Sequence, residues 1–162
     1  MKKNLVCKRI LLVILAICMV LAGLVACRKE EGSGEYVGKV IISCEKIWDH
    51  EADLAAEKKD YVPEDGLILA ETEVRFDEGE TAWDLLQSAC EEQEIQLDAE
   101  DSAYGKYVKG IGQIYSGDCG DMSGWMFQIN GVYAEESCDA YEMQEGDVIT
   151  WMFICDYEAD IS

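Results

Sequence analysis

The sequence predicts an α+β domain of β-grasp type, a small mixed sheet with one packed helix, preceded by a lipoprotein signal peptide. Three observations predict it. Thr81 to Glu94 carries apolar residues at helical spacing, whereas the rest of residues 36–155 breaks into short β-rich runs between turn signals. The last run, Val148 to Cys155, is apolar on both sides: Val148, Met152 and Ile154 on one, Ile149, Trp151 and Phe153 on the other. A strand buried on both faces belongs in the middle of its sheet. The leader is basic from Met1 to Arg9 and then uncharged from Ile10 to Ala26.

That uncharged run of 17 residues spans roughly 25 Å as a helix, short of the ~30 Å hydrocarbon core. It ends in Leu24-Val25-Ala26-Cys27, which resembles a bacterial lipobox. In that motif the Cys27 thiol takes a diacylglyceryl group, the preceding peptide bond is cut, and the new amino terminus is acylated. Buried CH₂ groups, at about 0.8 kcal/mol each, then give a stable anchor. An uncleaved signal anchor with an incidental Cys27 is the alternative. Both readings place the remainder on the extracellular face of the membrane. Residues 1–26 are thus the signal peptide, 27–38 the lipidated Cys27 with a Gly/Ser-containing tether, and 39–162 the domain.

Within the domain, Tyr36 to Ile47 alternates at Val40, Ile42 and Cys44 and reads as a strand. Trp48 to Asp60 is charged and admits a short helix; Val62 to Gly66 is turn chemistry. Leu67 to Phe76 is extended. Thr81 caps a helix with Asp84 at its third position and Ala82, Leu85, Leu86, Ala89 and Cys90 on one face. Ile95 to Leu97 reads as a short strand, Asp98 to Lys106 as an acidic loop, and Tyr107 to Ile111 and Gln113 to Tyr115 as extended pieces. Trp125 to Tyr133 carries Asn130-Gly131, the preferred pair of a type I′ hairpin turn. Tyr141 to Met143 and Val148 to Cys155 flank a final turn.

Of eight cysteines, Cys7 and Cys18 leave with the signal and Cys27 carries lipid. Five remain in a compartment where disulfides persist. The expected pairings are Cys119 with Cys138, around one hairpin, and Cys44 with Cys155, joining the first and last strands. Cys90, on the helix stripe, is then the buried odd thiol. A zinc site or free core thiols are the alternatives. With no Cys-x-x-Cys and His50 as the only histidine, no metal site is assigned.

Charge excludes other classes. Four of the 13 Lys and Arg precede residue 27 and no acid does, so nine bases face all 34 acids thereafter, a formal charge of −25. Such a surface repels nucleic acid and anionic headgroups. His50, between Asp49 and Glu51, reads as an exposed surface residue rather than a catalytic base. Gly110-x-Gly112 lacks the third glycine of a dinucleotide fingerprint. Asp98, Glu100 and Asp101 lack the EF-hand spacing, which leaves calcium a weaker option. No catalytic constellation emerges, so no enzyme activity is expected.

The aromatics concentrate in the last 40 residues. Trp151 and Phe153 read as core. Trp125 and Tyr133 flank the Asn-Gly turn, and either pack inward or present a flat face to a planar ligand or a protein. Ligand-contact candidates are Tyr115, Ser123, Gly124, Trp125, Phe127, Asn130 and Tyr133.

From Ile42 to Ser162 the chain resembles a bacterial lipoprotein family with a transcobalamin-like C-terminal domain. The matching stretches are ISCEKI at 42–47, VPEDGLIL at 62–69, FDEGETAWDLLQSAC at 76–90, YVKGIGQIYSGDCGDMSGWMFQINGVY at 107–133 and YEMQEGDVITWMFICD at 141–156. The resemblance implies a β-grasp domain that binds a soluble ligand, with cobalamin or another corrinoid as the candidate and no cofactor required. It departs in one respect. Animal carriers hold cobalamin between such a domain and a preceding helical barrel, for which 136 residues leave no room; the missing half is absent or supplied by another chain. The alternative function is a cell-surface protein-interaction or structural module without a small-molecule ligand; a hydrolase using acidic residues ranks third.

Overall fold

A computed structural model describes residues 34–161. The leader, the Cys27 acceptor and the tether as far as residue 33 lie outside the described residues. β1 (Tyr36–Ser43) begins inside the stretch read as tether, so its first three residues belong to the sheet. The chain continues through β2 (Leu67–Phe76), α1 (Ala82–Glu92), β3 (Leu97–Ser102), β4 (Gly105–Ile111), β5 (Ile114–Tyr115), β6 (Gly124–Ile129), β7 (Val132–Tyr133), β8 (Val148–Ile154) and a terminal turn of helix, α2 (Tyr157–Asp160).

Five strands form one sheet in the order β2-β1-β8-β6-β7, and β3-β4-β5 form a second. β1 and β8 run parallel, with Val40 opposite Ile149 and Ile42 opposite Trp151; the other pairs are antiparallel. β8 therefore occupies the central place its composition predicts. Its two faces are not equally covered. Ile149, Trp151 and Phe153 are buried, whereas Val148, Thr150 and Met152 are half-buried.

α1 is the element the sequence specifies best. The Thr81 hydroxyl accepts from the Asp84 N–H and the Asp84 carboxylate accepts from the Thr81 N–H at 2.8 Å, a reciprocal capping box. Ala82, Leu85, Leu86, Ala89 and Cys90 are all buried, and the helix packs on β1 and β2. An eleven-residue helix is marginal in water alone, so this apolar face holds it.

Three expectations change. Trp48 to Asp60 forms no α-helix; two 3₁₀ turns, Glu45–His50 and Ala56–Tyr61, occupy its two ends. The acidic stretch after Asp98 is β3 and its hairpin turn, because cations across the ladder neutralise it. Lys109 meets Asp98 at 3.2 Å and Glu100 at 3.3 Å, and Lys106 pairs with Asp101 directly opposite. Tyr141 to Met143 contributes a single bridge, Glu142 to Thr81. No helix among the described residues is long and apolar enough to cross a membrane.

Candidate functional site

The hairpin at Ser123–Tyr133 is built as its sequence predicts, but two of its functional candidates, Ser123 and Trp125, are buried. Asn130 and Gly131 both have positive φ, +51° and +82°, as a type I′ turn requires. Asn130 is then tied down: its amide donates to Asp147 Oδ1 at 2.7 Å and its carbonyl accepts from the Val148 N–H at 2.9 Å. The buried Asp147 also accepts from the Tyr141 hydroxyl at 2.8 Å and the Gln144 N–H at 2.9 Å. Burial and the Asp147 carboxylate push the Tyr141 phenol up to about 12.

Trp125 is 7% exposed, donates its indole N–H to the Ile114 carbonyl at 2.9 Å and meets Phe153 edge-on at 5.3 Å. Ser123 is buried, its hydroxyl accepting from the Gly117 and Cys119 N–H groups, both at 3.1 Å. Gly124 faces Ser116, whose Oγ would lie 3.2 Å from an added Cβ. Phe127 stacks on Trp151 at 5.1 Å. Tyr115 lies under the Lys58 ammonium at 4.7 Å, and its ring fills the space a Cβ at Gly110 would occupy. Tyr133 is half-buried, with its hydroxyl 3.8 Å from the Met152 sulfur; burial raises its phenol. The hairpin is thus mainly a packing device, whose turn is exposed.

A concave site lies elsewhere. A groove of about 410 Å³ opens between α1 and β3, floored by Ile95 and Leu97 and walled by Trp83, with Gln87, Glu91 and Lys106 as its polar groups. The Lys106 ammonium stands 5.3 Å from the Trp83 ring, a cation–π contact. The size and lining suit a small ligand or one end of a larger one. Sequence reading missed this groove, although a signal existed: Trp83, Gln87 and Glu91 follow one another at i, i+4 beside the apolar stripe, so one indole stands off the core-facing side.

The cysteines differ from the expected pairing. All five described cysteines are buried free thiols. Cys119 lies beside the β8 end that carries Cys155: its N–H donates to Ser123 Oγ, and the following Gly124 pairs with Ile154. Cys138 donates instead to the Lys106 carbonyl at 3.8 Å, and Cys44 sits at the end of β1 with no bridge to Cys155. The reason is topological. The loop after β5 folds back on Leu54 and the 3₁₀ turns, which brings Cys119 to the far end of β8. Burial pushes the Cys44 and Cys90 thiols up to about 12 and Cys138 up to about 11. It raises Cys119 and Cys155 as well. His50 is not the exposed residue its acidic neighbours suggest: it is half-buried, with Nε2 3.4 Å from Asp160 Oδ1.

Residues 79–154 match the family model described as Domain of unknown function (DUF4430). That span runs from the turn before α1 to the end of β8. Two of the similar solved structures are these. One is a protein of Ruminococcus gnavus ATCC 29149, provisionally described as metal binding, with a TM-score of 0.47 and 16% identity; the alignment covers 76% of this chain and all of that one. The other is haptocorrin in complex with Cbi, with a TM-score of 0.51 and 12% identity, over 76% of this chain and 26% of haptocorrin. The chain thus spans about a quarter of haptocorrin. At that identity the likeness is one of fold, and it supports a transcobalamin-like fold. A search of curated proteins finds no match.

Proposed function

We propose that this chain is a lipid-anchored module on the extracellular face of the cell membrane, whose β-grasp domain captures a soluble ligand without performing chemistry on it. Cobalamin or another corrinoid is the ligand class. The observation that carries the reading is the shared fold with haptocorrin, whose solved structure contains Cbi, over 76% of this chain. The lipobox-like Leu24-Val25-Ala26-Cys27 supports the anchor. The likeness spans about a quarter of haptocorrin, so this domain supplies one wall of a binding site.

Among the described surfaces, the groove between α1 and β3 is the contact region. An apolar floor and an indole wall remove water from a ligand's ring or alkyl edge, while Gln87, Glu91 and Lys106 offer donors and acceptors to amide groups at its rim.

The test is an absorbance titration of the purified chain with cobalamin, beside Trp83→Ala. Saturable binding that weakens about tenfold in the variant, or about 1.4 kcal/mol, supports ligand and groove together. Binding unchanged by Trp83→Ala moves the site elsewhere. No binding near millimolar, about −4 kcal/mol, removes the corrinoid reading and leaves the cell-surface interaction module.

A further inference from the structure

Two thiols 36 positions apart meet at the junction of three segments. Cys119 lies in the loop between β5 and β6, and Cys155 directly follows β8. The Cys119 N–H donates to Ser123 Oγ at 3.1 Å, and Gly124, the next residue, pairs with Ile154, which places Cys119 beside the β8 end that carries Cys155. The surroundings fix the meeting from both sides. The Cys119 thiol donates to the His50 carbonyl, Sγ to O 3.6 Å, and the Cys119 backbone bridges Leu54. The Cys155 N–H donates to Asp160 Oδ2 at 2.9 Å, and the other oxygen of that carboxylate faces the His50 ring. His50 therefore touches the Cys119 loop through its carbonyl and the Cys155 end through its ring.

We propose that Cys119 and Cys155 are the chain's oxidisable pair and form a disulfide that fastens the β5–β6 loop to the end of the central strand. Each thiol gives up its proton, and an S–S bond forms between them. The two electrons pass to the disulfide of an oxidant, either a small-molecule disulfide or a disulfide oxidoreductase, which leaves as two thiols. With Cys119 and Cys155 only 2% and 8% exposed, the finished fold gives an oxidant little access. The exchange therefore belongs to folding, before the loop docks, when the thiolates are reachable. Three thiols stay reduced, buried in the core: Cys44 at the end of β1, Cys90 on α1 and Cys138 beside Lys106. The occurrence of the bridge in cells rests on the export reading above; the choice of partners does not.

Two samples of the full chain separate these points. One is isolated with detergent from an exporting bacterium. The other is denatured, reduced and refolded in reduced and oxidised glutathione. Free thiols are alkylated in each, and the chains are digested without reduction and mapped by mass spectrometry. A Cys119–Cys155 peptide in both, with Cys44, Cys90 and Cys138 alkylated, is the expected result. The bridge in the refolded chain alone supports the pairing and counts against export. Alkylated Cys119 and Cys155 after oxidative refolding, or a bridge from either to Cys44 or Cys138, overturns it. As a second readout, reduction should lower the melting temperature of the refolded wild type, and the double variant Cys119→Ser/Cys155→Ser should show no such drop. An equal drop in both overturns the proposal too.

Discussion

Trp125 combines two roles that its sequence context leaves open: it flanks an exposed hairpin turn and yet is a core residue. Its ring fills space against Phe153, and its one polar atom is satisfied by the Ile114 carbonyl, which ties β6 to the smaller sheet. Trp125→Ala therefore removes packing and leaves that carbonyl without its donor. We expect a loss of about 3–5 kcal/mol, read from urea denaturation. A loss below 1 kcal/mol would show that the indole is not packed. Trp151 makes the opposite compromise. It is 2% exposed and stacked on Phe127, but its indole nitrogen is buried with no hydrogen-bond partner among the described residues. An unmade hydrogen bond of this kind costs about 1–3 kcal/mol, which the burial of a large ring offsets.

At the scale of elements, α2 is only four residues long and holds through capping rather than length. The Asp156 carboxylate accepts from the Glu158 and Ala159 N–H groups, and Asp160 accepts from Cys155 and Asp156. Burial alone would raise the Asp160 carboxyl. The N–H groups of Asp156 and Cys155, with His50 beside it, outweigh that and hold it below 3.8. A carboxyl whose pKa is lower in the folded chain stabilises fully above its unfolded value and loses that contribution as pH falls through the folded one. Wild type should therefore exceed Asp160→Asn in melting temperature near pH 5, and the margin should shrink below about pH 4. A margin independent of pH down to 2.5 would contradict this.

At the scale of the molecule, charge dominates. Lys39, Lys58, Lys59, Lys106 and Lys109 each pair with acids, yet acids greatly outnumber bases on the chain. Self-repulsion of that surplus opposes the compact state. Raising salt from 0.01 M to 0.5 M shortens the screening length from about 30 Å to a few Å. Melting temperature should rise with salt. A fall would mean that the exposed ion pairs outweigh the repulsion.

The sequence by itself determined the elements whose causes are local: the Thr81–Asp84 capping box and apolar stripe of α1, the Asn130-Gly131 turn, and the central place of β8, whose apolar pattern tolerates no exposed edge. The same locality explains what it could not decide. β3 reads as an acidic loop because its stabilising partners, Lys106 and Lys109, lie across the ladder. Trp83 reads as one more helix residue until β3 closes a groove beside it. The meeting of Cys119 with Cys155 depends on where a loop folds back on Leu54. Side-chain period and turn chemistry act within a few residues, whereas cavities, charge pairing across strands and thiol contacts exist only once distant segments share a surface, so these were settled by tertiary structure.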